Sequence, residues 1–131
     1  MRKPDLNETH DAKRRSWVAS ANAPDCEFPI QNLPYGVFST PGTAARAGVA
    51  IGDRILDLAV IEESGLVTAS AGAAVFGKSD LNTFMALGPD TWSATRATIG
   101  RLLDEETAVL RDDPELRSKA LVPMADAALH L

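Results

Sequence analysis

The side chain with the most intrinsic reactivity in this 131-residue chain is Cys26, its one cysteine. A nucleophilic thiolate needs positively charged neighbours, whereas Cys26 lies between Asp25 and Glu27. We therefore interpret it as an inert loop cysteine. Because a single cysteine cannot form an internal disulfide, the chain is typical of a reducing compartment, and we predict a cytoplasmic location.

Histidines and carboxylates, the other groups that could act in catalysis or hold a metal, are poorly placed. The two histidines, His10 and His130, lie near the two chain ends. Acidic residues cluster at 62–63, 104–106 and 112–113, but no cluster has the alternating oxygen ligands and central glycine of a calcium loop. They are typical of solvated helix ends. We predict no catalytic residue, no metal site and no cofactor in this chain.

Two glycines, Gly48 and Gly52, flank a short apolar run and superficially resemble a phosphate-binding loop. Such a loop follows a strand and opens a helix, and a lysine with a serine or threonine completes the site. Here Gly52 and Asp53 instead form the two-residue connection that is typical of a tight hairpin. We predict strands over residues 47–51 and 54–58.

Composition limits the classes of partner. The chain carries 13 lysines and arginines against 18 aspartates and glutamates, a net charge of −5. An acidic chain repels phosphate backbones, so nucleic-acid binding is not expected. No run reaches the roughly 18 consecutive apolar residues of a membrane span, so no membrane partner is expected. The length fits one domain, and the 45% hydrophobic content fits a globular core.

Charges and prolines define the first third of the chain. Residues 1–15 are highly charged and nearly without apolar side chains, so we expect a mobile N-terminal tail, with a short helix before Trp17 as the alternative. Four of the 8 prolines fall between positions 24 and 41, which excludes a helix there. Six large apolar residues lie between 28 and 38, so the segment must pack on something. We expect turns and extended chain that end in a strand over 36–39.

The second half of the chain has helical periodicity. We expect a short helix capped by Asp80 and ended by Gly88, a long amphipathic helix over 89–105, and a helix opened by Asp113 and ended by Pro123. Small strands followed by helices indicate an α+β fold, a small open sheet or barrel covered by helices. The residues expected on the apolar face of the short helix are Leu81, Phe84 and Met85.

Several segments of the chain resemble the N-terminal domain of fumarylacetoacetases. The most specific is FPIQNLPYGVF at 28–38, because a run of this length and composition is unusual. The resemblance covers residue 16 to the C-terminus. The other matching segments are SWVASAN at 16–22, GVAIGDRILDL at 48–58, LNTFMALG at 81–88 and ALVP at 120–123.

The resemblance implies a small SH3-like β-barrel with C-terminal covering helices, followed in family members by a larger catalytic domain. Those enzymes hydrolyse a carbon–carbon bond of fumarylacetoacetate to give fumarate and acetoacetate, in tyrosine and phenylalanine degradation. Calcium or magnesium held by carboxylates polarises the substrate oxygens, and a histidine–carboxylate pair activates water. The family's enzymes are homodimers.

On this resemblance, residues 16–131 are the N-terminal domain and the catalytic domain is absent from the chain. No metal ligand or catalytic residue of the family can be assigned to a position here, and His130 is not the catalytic histidine. We expect an accessory, structural role for a truncated or excised segment that is inactive alone. Calcium or magnesium is expected only in the full-length parent, and the expected partner is the parent's own C-terminal catalytic domain.

The proline-rich segment is a candidate docking surface for that catalytic domain, because it combines prolines with apolar side chains. The alternative is that the same residues form the core of the barrel itself. The residues expected to face the catalytic domain are Trp17, Phe28, Pro29, Ile30, Gln31, Asn32, Leu33, Pro34, Tyr35 and Leu121.

A second hypothesis is a stand-alone SH3-like module that binds proteins or peptides. Proline-rich ligands are recognised in an exposed groove lined by several aromatic side chains. The chain has 4 phenylalanines, 2 tryptophans and 1 tyrosine, and most of these are needed for the core. A third hypothesis, an independent enzyme, would require hydrolysis of a diketone by this chain alone.

Overall fold

The computed structural model describes residues 14–70, 74–78 and 81–130. Within them, five antiparallel strands form a curled half-barrel sheet with the order β4-β3-β2-β1-β5, and helices accompany it. This confirms the predicted α+β class. The strands are β1 (Tyr35–Ser39), β2 (Arg46–Ile51), β3 (Arg54–Asp57), β4 (Leu121–Pro123) and β5 (Ala128–His130). The helices are α1 (Leu58–Glu63), α2 (Asn82–Met85), α3 (Pro89–Leu103), α4 (Ala108–Arg111) and α5 (Pro114–Ala120).

The predicted hairpin is present, with Gly52 and Asp53 connecting β2 to β3. Gly52 has a φ of +59°, a backbone conformation that residues other than glycine rarely adopt. The prediction was wrong for Leu58, which begins α1 instead of ending the strand. The cause is Asp57, whose carboxylate accepts hydrogen bonds from the amides of Ala59 and Val60 and so caps a helix at that point.

The helix predicted over 89–105 is confirmed as α3, which ends at Leu103 because Asp104 takes an extended conformation. The start of α5 is also confirmed, since the Asp113 carboxylate accepts a hydrogen bond from the Leu116 amide at 3.1 Å. The predicted end at Pro123 was wrong. The helix stops at Ala120, because the next three residues form β4 and pair with β3.

Helix α2 differs in detail from the short helix that the sequence predicts. It begins at Asn82, and Asp80, the predicted cap, lies outside the described residues. Phe84 is fully buried, whereas Met85 is 44% exposed, so the prediction that they share one face was wrong. Neighbouring helical residues point about 100° apart, and a helix of one turn cannot bury both.

The last two strands were not predicted, and they change the placement of the helices. Strands β4 and β5 follow the helices in sequence and form the two edges of the sheet. The helices therefore lie between β3 and β4 in the chain, rather than forming a purely C-terminal cover. The 3-10 turn Met124–Asp126 connects the two edge strands.

The main core lies between one face of the sheet and the helices. Val49 of β2 and Leu56 of β3 are register partners and fully buried on that face. They join Leu58, Phe84 and other apolar side chains in one buried cluster. Among the described residues, every buried side-chain nitrogen or oxygen has a hydrogen-bond partner. The remaining large members of the cluster include Ile30, Leu33, Ile51, Ile61, Phe76, Ile99, Leu103 and Leu110.

The described chain is anchored two residues before the predicted ordered start at Ser16. Arg14 Nε lies 2.6 Å from Asp104 Oδ2, and the Arg15 carbonyl accepts a hydrogen bond from the Glu105 amide at 2.9 Å. Both contacts attach the chain to the end of α3. The rest of the predicted tail, residues 1–13, lies outside the described residues.

Asp104 makes this attachment sensitive to pH. Burial acts to raise its pKa, but the Glu106 amide and the Arg14 guanidinium outweigh burial and hold the pKa of the carboxyl below its ordinary value. A carboxyl with a depressed folded-state pKa stabilises the fold above its unfolded pKa of about 4, and this contribution is lost as the pH falls through the folded value.

We therefore expect the difference in free energy of unfolding between the unaltered chain and Asp104→Asn to be largest at neutral pH. The difference is expected to shrink below about pH 4. Urea unfolding followed by circular dichroism between pH 7 and pH 3 measures it. The same change at the exposed Asp126 is the control, and a pH-independent difference at Asp104 would contradict the prediction.

Candidate docking surface

The ten predicted docking residues differ in burial: two are enclosed in the core and eight are partly or fully exposed. Ile30 is 1% exposed and Leu33 is 2% exposed, and both belong to the domain's own core. For these two, the docking prediction is corrected in favour of the alternative, because side chains enclosed by their own domain cannot contact another. They lie beside a turn in which the Asn32 amide donates to the Pro29 carbonyl at 2.8 Å. The partly or fully exposed residues are Trp17, Phe28, Pro29, Gln31, Asn32, Pro34, Tyr35 and Leu121.

Phe28, Pro34 and Tyr35 line an apolar groove of about 230 Å³, which we call the sheet groove. Its floor is the face of the sheet opposite the main core, since floor residues such as Ala50 alternate along β2 with core residues such as Val49. The lining comprises Phe28, Pro34, Tyr35, Gly36, Val37, Phe38, Gly48, Ala50, Ile55, Met124 and Leu129.

Two glycines and one exposed leucine shape the sheet groove. Gly36 and Gly48 are register partners on its floor. A Cβ atom on Gly48 would lie 2.7 Å from Ile55 Cγ2 and 2.8 Å from the Phe38 ring, so these side chains occupy the space that a larger residue would need. Leu129, the register partner of Phe38 on β5, is 66% exposed. The groove therefore has a tightly packed floor and an exposed apolar side chain on its rim.

Tyr35 forms a rigid wall of the sheet groove. Its hydroxyl donates to the Trp92 carbonyl at 3.1 Å, and its ring lies 5.0 Å from the Phe84 ring. The Arg96 guanidinium lies 5.0 Å from the ring centroid. Burial raises the pKa of the Tyr35 hydroxyl, and Arg96 opposes this shift in part. Held at both ends, the ring has little conformational freedom left to lose.

Trp17 and Leu121 line a separate and larger depression of about 620 Å³, which we call the arginine cleft. The two residues are about a hundred positions apart in sequence and meet because Trp17 packs against the end of α3 while Leu121 follows α5. The lining comprises Trp17, Val18, Ala19, Ser20, Asp53, Arg54, Arg117, Ser118, Leu121 and Pro123.

Trp17 is fixed in the arginine cleft and in turn orients Arg117. The indole Nε1 donates to the Leu102 carbonyl at 2.7 Å, and the Trp17 amide donates to the Leu103 carbonyl at 3.2 Å. The Arg117 guanidinium lies 4.6 Å from the centroid of the indole ring, within the range of a cation–π contact.

Asp53 is the acidic group of the arginine cleft. Its Oδ1 accepts a hydrogen bond from Ser20 Oγ at 2.7 Å and lies 3.3 Å from Arg54 Nε. The Ser20 hydroxyl is the main cause that holds the pKa of Asp53 below its ordinary value, and Arg54 adds to the effect. Asp53 is therefore an ionised group whose charge is already matched within the cleft.

The sheet groove and the arginine cleft adjoin at the turn between β2 and β3. The Phe28 carbonyl, beside the groove, accepts a hydrogen bond from the Gly52 amide at 2.7 Å. Met124, which also lines the groove, donates its amide to the carbonyl of Asp53, which lines the cleft, at 2.9 Å. Five of the predicted docking residues thus lie on two neighbouring depressions.

The remaining three predicted residues lie elsewhere. Pro29 and Gln31 border a third depression beside Arg14, and Gln31 Nε2 donates to the Arg14 carbonyl at 2.8 Å. Asn32 is exposed and donates to the Glu27 carbonyl at 3.3 Å. None of the three lines the sheet groove or the arginine cleft.

Sequence reasoning missed Arg54, Arg117, Met124 and Leu129, which line the two depressions. The apolar Leu129 near the C-terminus was the available signal, but its β5 strand was not recognised. Among the residues described, no group of three histidine, cysteine, aspartate or glutamate side chains could hold a metal ion. In the same part of the chain, no helix has both the length and the apolar character to cross a membrane.

Comparison with known proteins identifies the family. The model of the family described as "Fumarylacetoacetase N-terminal" matches residues 31–131. This chain belongs to that family. The resemblance carried by residues 28–38 is thereby confirmed. The matched range contains every lining residue of the sheet groove except Phe28, and the lining residues of the arginine cleft from Asp53 onward.

Several curated proteins are similar to this chain, and all named below are fumarylacetoacetases. The rat protein is 51% identical over 112 residues, which are 83% of this chain and 26% of the relative. The Caenorhabditis elegans protein is 53% identical over 109 residues, 80% of this chain and 26% of the relative. The rice protein is 41% identical over 123 residues, 89% of this chain and 28% of the relative. The chain therefore spans about a quarter of the length of these relatives.

Proposed function

We propose that this chain is the accessory N-terminal domain of a fumarylacetoacetase, the hydrolase that splits fumarylacetoacetate into fumarate and acetoacetate in tyrosine and phenylalanine degradation. The observation that carries the proposal is 51% identity to a fumarylacetoacetase across 83% of this chain but only 26% of that relative. In this proposal the catalytic groups belong to the enzyme's C-terminal catalytic domain. This chain supplies a docking surface and is inactive alone.

The sheet groove is the part of the surface that we assign to the catalytic domain's apolar side chains. Its lining is almost entirely apolar, and Leu129 on its rim is 66% exposed. Leu129 extends the apolar lining of the groove into one continuous apolar surface, and such surfaces mark interaction sites more often than a single exposed leucine does. The SH3-like barrel remains our proposal for the fold type, supported by the curled, half-barrel shape of the five-stranded sheet.

The described residues do not fit the divalent cation that the family implies, because they bring together no set of three candidate ligands. We therefore assign no step of the reaction through a metal to this chain. In our proposal calcium or magnesium is bound by the catalytic domain. We also propose a homodimeric parent enzyme in the cytoplasm.

A chimera tests the proposed function. The matched segment of the rat enzyme is replaced by this chain, and hydrolysis of fumarylacetoacetate is followed by the loss of its absorbance. We expect activity within about tenfold of the rat enzyme, since the two segments share 51% identity. The rat enzyme without the segment is the control and is expected to be inactive or insoluble. A soluble chimera without activity would overturn the proposal.

A matched pair of variants in the chimera tests the sheet groove. Leu129→Asp places a charge on the rim, and Val109→Asp makes the same change at another exposed apolar residue, 57% exposed on α4, that does not line the groove. We expect Leu129→Asp to lower the thermal stability and activity of the chimera, and Val109→Asp to leave both nearly unchanged. Equal effects of the two variants would show that the sheet groove is not part of the docking surface.

The second hypothesis, a module that binds proline-rich peptides, receives support from one feature, since Phe28, Pro34 and Tyr35 meet in the sheet groove. Proline-rich ligands use ring faces together with hydrogen-bond donors of the groove. The Tyr35 hydroxyl already donates its hydrogen to the Trp92 carbonyl, which counts against its use as a donor to such a ligand. Saturable binding of a proline-rich peptide to the chain, together with an inactive chimera, would favour this function.

A further inference from the structure

The arginine cleft carries positive charge in a protein whose net charge is −5. Its lining holds two guanidinium groups, Arg54 and Arg117, and one carboxylate, Asp53. The Asp53 carboxylate is already engaged by Ser20 and Arg54. The cleft therefore offers an unmatched positive charge to whatever enters it.

Arg117 carries this unmatched charge. Across residues 14–70, 74–78 and 81–130, no carboxylate oxygen forms an ion pair with its guanidinium. Asp112 is near enough to interact electrostatically, but both of its oxygens accept hydrogen bonds from Arg111, at 2.8 and 2.9 Å. The hydrogen bond from Arg117 Nη1 to the Arg111 carbonyl is long, at 3.4 Å. The guanidinium thus keeps donor capacity for a ligand.

The position of Arg117 is set before any ligand arrives. Its guanidinium stacks at 4.6 Å on an indole ring that two hydrogen bonds hold against the end of α3. A stacked guanidinium still presents its N–H groups at the edge, where they match the two oxygens of a carboxylate. Less side-chain entropy is lost on binding when the donor is already oriented.

The rest of the arginine cleft indicates which chemical group of a ligand lies next to the carboxylate bound by Arg117. Val18, Leu121 and Pro123 provide an apolar wall beside the arginines. The volume of about 620 Å³ lies within the range of sites that hold extended organic ligands and is far larger than a single small anion fills. A ligand that matches both halves has a carboxylate next to an apolar side chain, as in an acidic peptide segment.

We infer that the arginine cleft binds an acidic segment of the enzyme's catalytic domain, in which a carboxylate pairs with Arg117 and a neighbouring apolar side chain contacts Leu121. The inference rests on the proposed function, since it names the chemistry of the partner on the Trp17 and Leu121 side of the docking surface. Arg54 stays paired with Asp53, so Arg117 is the group to which we assign the carboxylate of the partner.

A pair of peptides tests the inference on the 131-residue chain. The probe is the acetylated and amidated peptide Leu-Asp-Glu-Leu, and the control is Leu-Asn-Gln-Leu, which has the same shape without charge. In ¹⁵N nuclear magnetic resonance titrations we expect saturable shifts of the Trp17 indole N–H with the acidic peptide. We expect about tenfold weaker binding of the neutral peptide and weaker binding of the acidic one as sodium chloride is raised.

A pair of variants assigns the binding to the cleft. Arg117→Gln and Lys119→Gln remove the same charge from the same helix, but Lys119 does not line the cleft. We expect Arg117→Gln to weaken binding of the acidic peptide about tenfold and Lys119→Gln to change it less than about twofold. Thermal unfolding of both variants checks that they fold. If Arg117→Gln does not fold, the two peptides and the salt series on the unaltered chain decide the question.

Three results would overturn the inference: equal binding of the two peptides, equal effects of the two variants, or no saturation at about 5 mM acidic peptide. Sodium acetate that binds as tightly as the acidic peptide would also overturn it, because the site would then take a free anion. An active chimera whose cleft fails these tests refutes this inference alone. An inactive chimera whose cleft passes them refutes the proposed function and leaves the acid selectivity in place.

Discussion

Asp57→Ala is expected to lower the free energy of unfolding by about 3–5 kcal/mol, because it removes a buried carboxylate and leaves the partly buried Arg46 without its ionic partner. Asp57 is 1% exposed, and its Oδ2 lies 2.6 Å from Arg46 Nε, whose side chain is 17% exposed. Its Oδ1 also accepts the amides of Ala59 and Val60, at 3.1 and 3.3 Å, at the start of α1. Guanidinium chloride unfolding followed by circular dichroism measures the loss.

Asp113→Ala is the matched control, because Asp113 has the same capping role at α5 but is exposed and forms no ion pair among the described contacts. Its loss is expected to be about 1 kcal/mol. The difference between the two variants gives the contribution of the buried Arg46 pair. Asp57→Asn keeps an acceptor for the helix amides and is expected to fall between them. Equal losses at positions 57 and 113 would show that capping alone accounts for Asp57.

Phe84→Ala is expected to cost about 3–5 kcal/mol, the range for removal of a fully buried aromatic ring. Phe84 is 0% exposed, and its ring lies 5.0 Å from both the Tyr35 ring and the Phe76 ring. Its carbonyl also accepts a hydrogen bond from Trp92 Nε1 at 3.2 Å. Because Tyr35 is a wall of the sheet groove, the cavity is expected to loosen the groove as well as the core.

Met85→Ala is the control for Phe84, since the two residues are adjacent on α2 and Met85 is 44% exposed. Its cost is expected to stay below about 1 kcal/mol. Denaturant unfolding gives both values, and line widths of the Tyr35 ring resonances report the mobility of the groove wall. A Phe84→Ala variant as stable as Met85→Ala would contradict the packing described for the aromatic cluster.

The parts of the fold that were predictable are those that depend on neighbours in sequence. The hairpin around Gly52 requires only a positive φ between two β-prone runs, and both features are local. The start of α5 depends on Asp113 followed by a proline, again within a few residues. The same local reasoning failed at Leu58, where one carboxylate, Asp57, both ends a strand and caps a helix.

The proposed docking surface was only partly predictable, because burial depends on contacts that a local pattern does not contain. Within one proline-rich segment, Phe28 and Tyr35 line the sheet groove while Ile30 is enclosed in the core. Composition cannot show which of the three side chains points into the core and which into the groove, since all three are large and apolar. Arg117 stacks on Trp17, about a hundred residues earlier, so no motif around Arg117 indicated its position in the cleft.

The order of strands in the sheet has a consequence for how the chain folds during synthesis. Strand β1 pairs with β2 about ten residues later, but with β5 only about ninety residues later. Pairings of such different sequence separation form at different times, because closing a long loop costs more entropy than closing a short one. The groove rim contributed by Leu129 therefore appears only when the last strand has left the ribosome. A nascent chain thus presents no complete groove to other proteins until its sheet is finished.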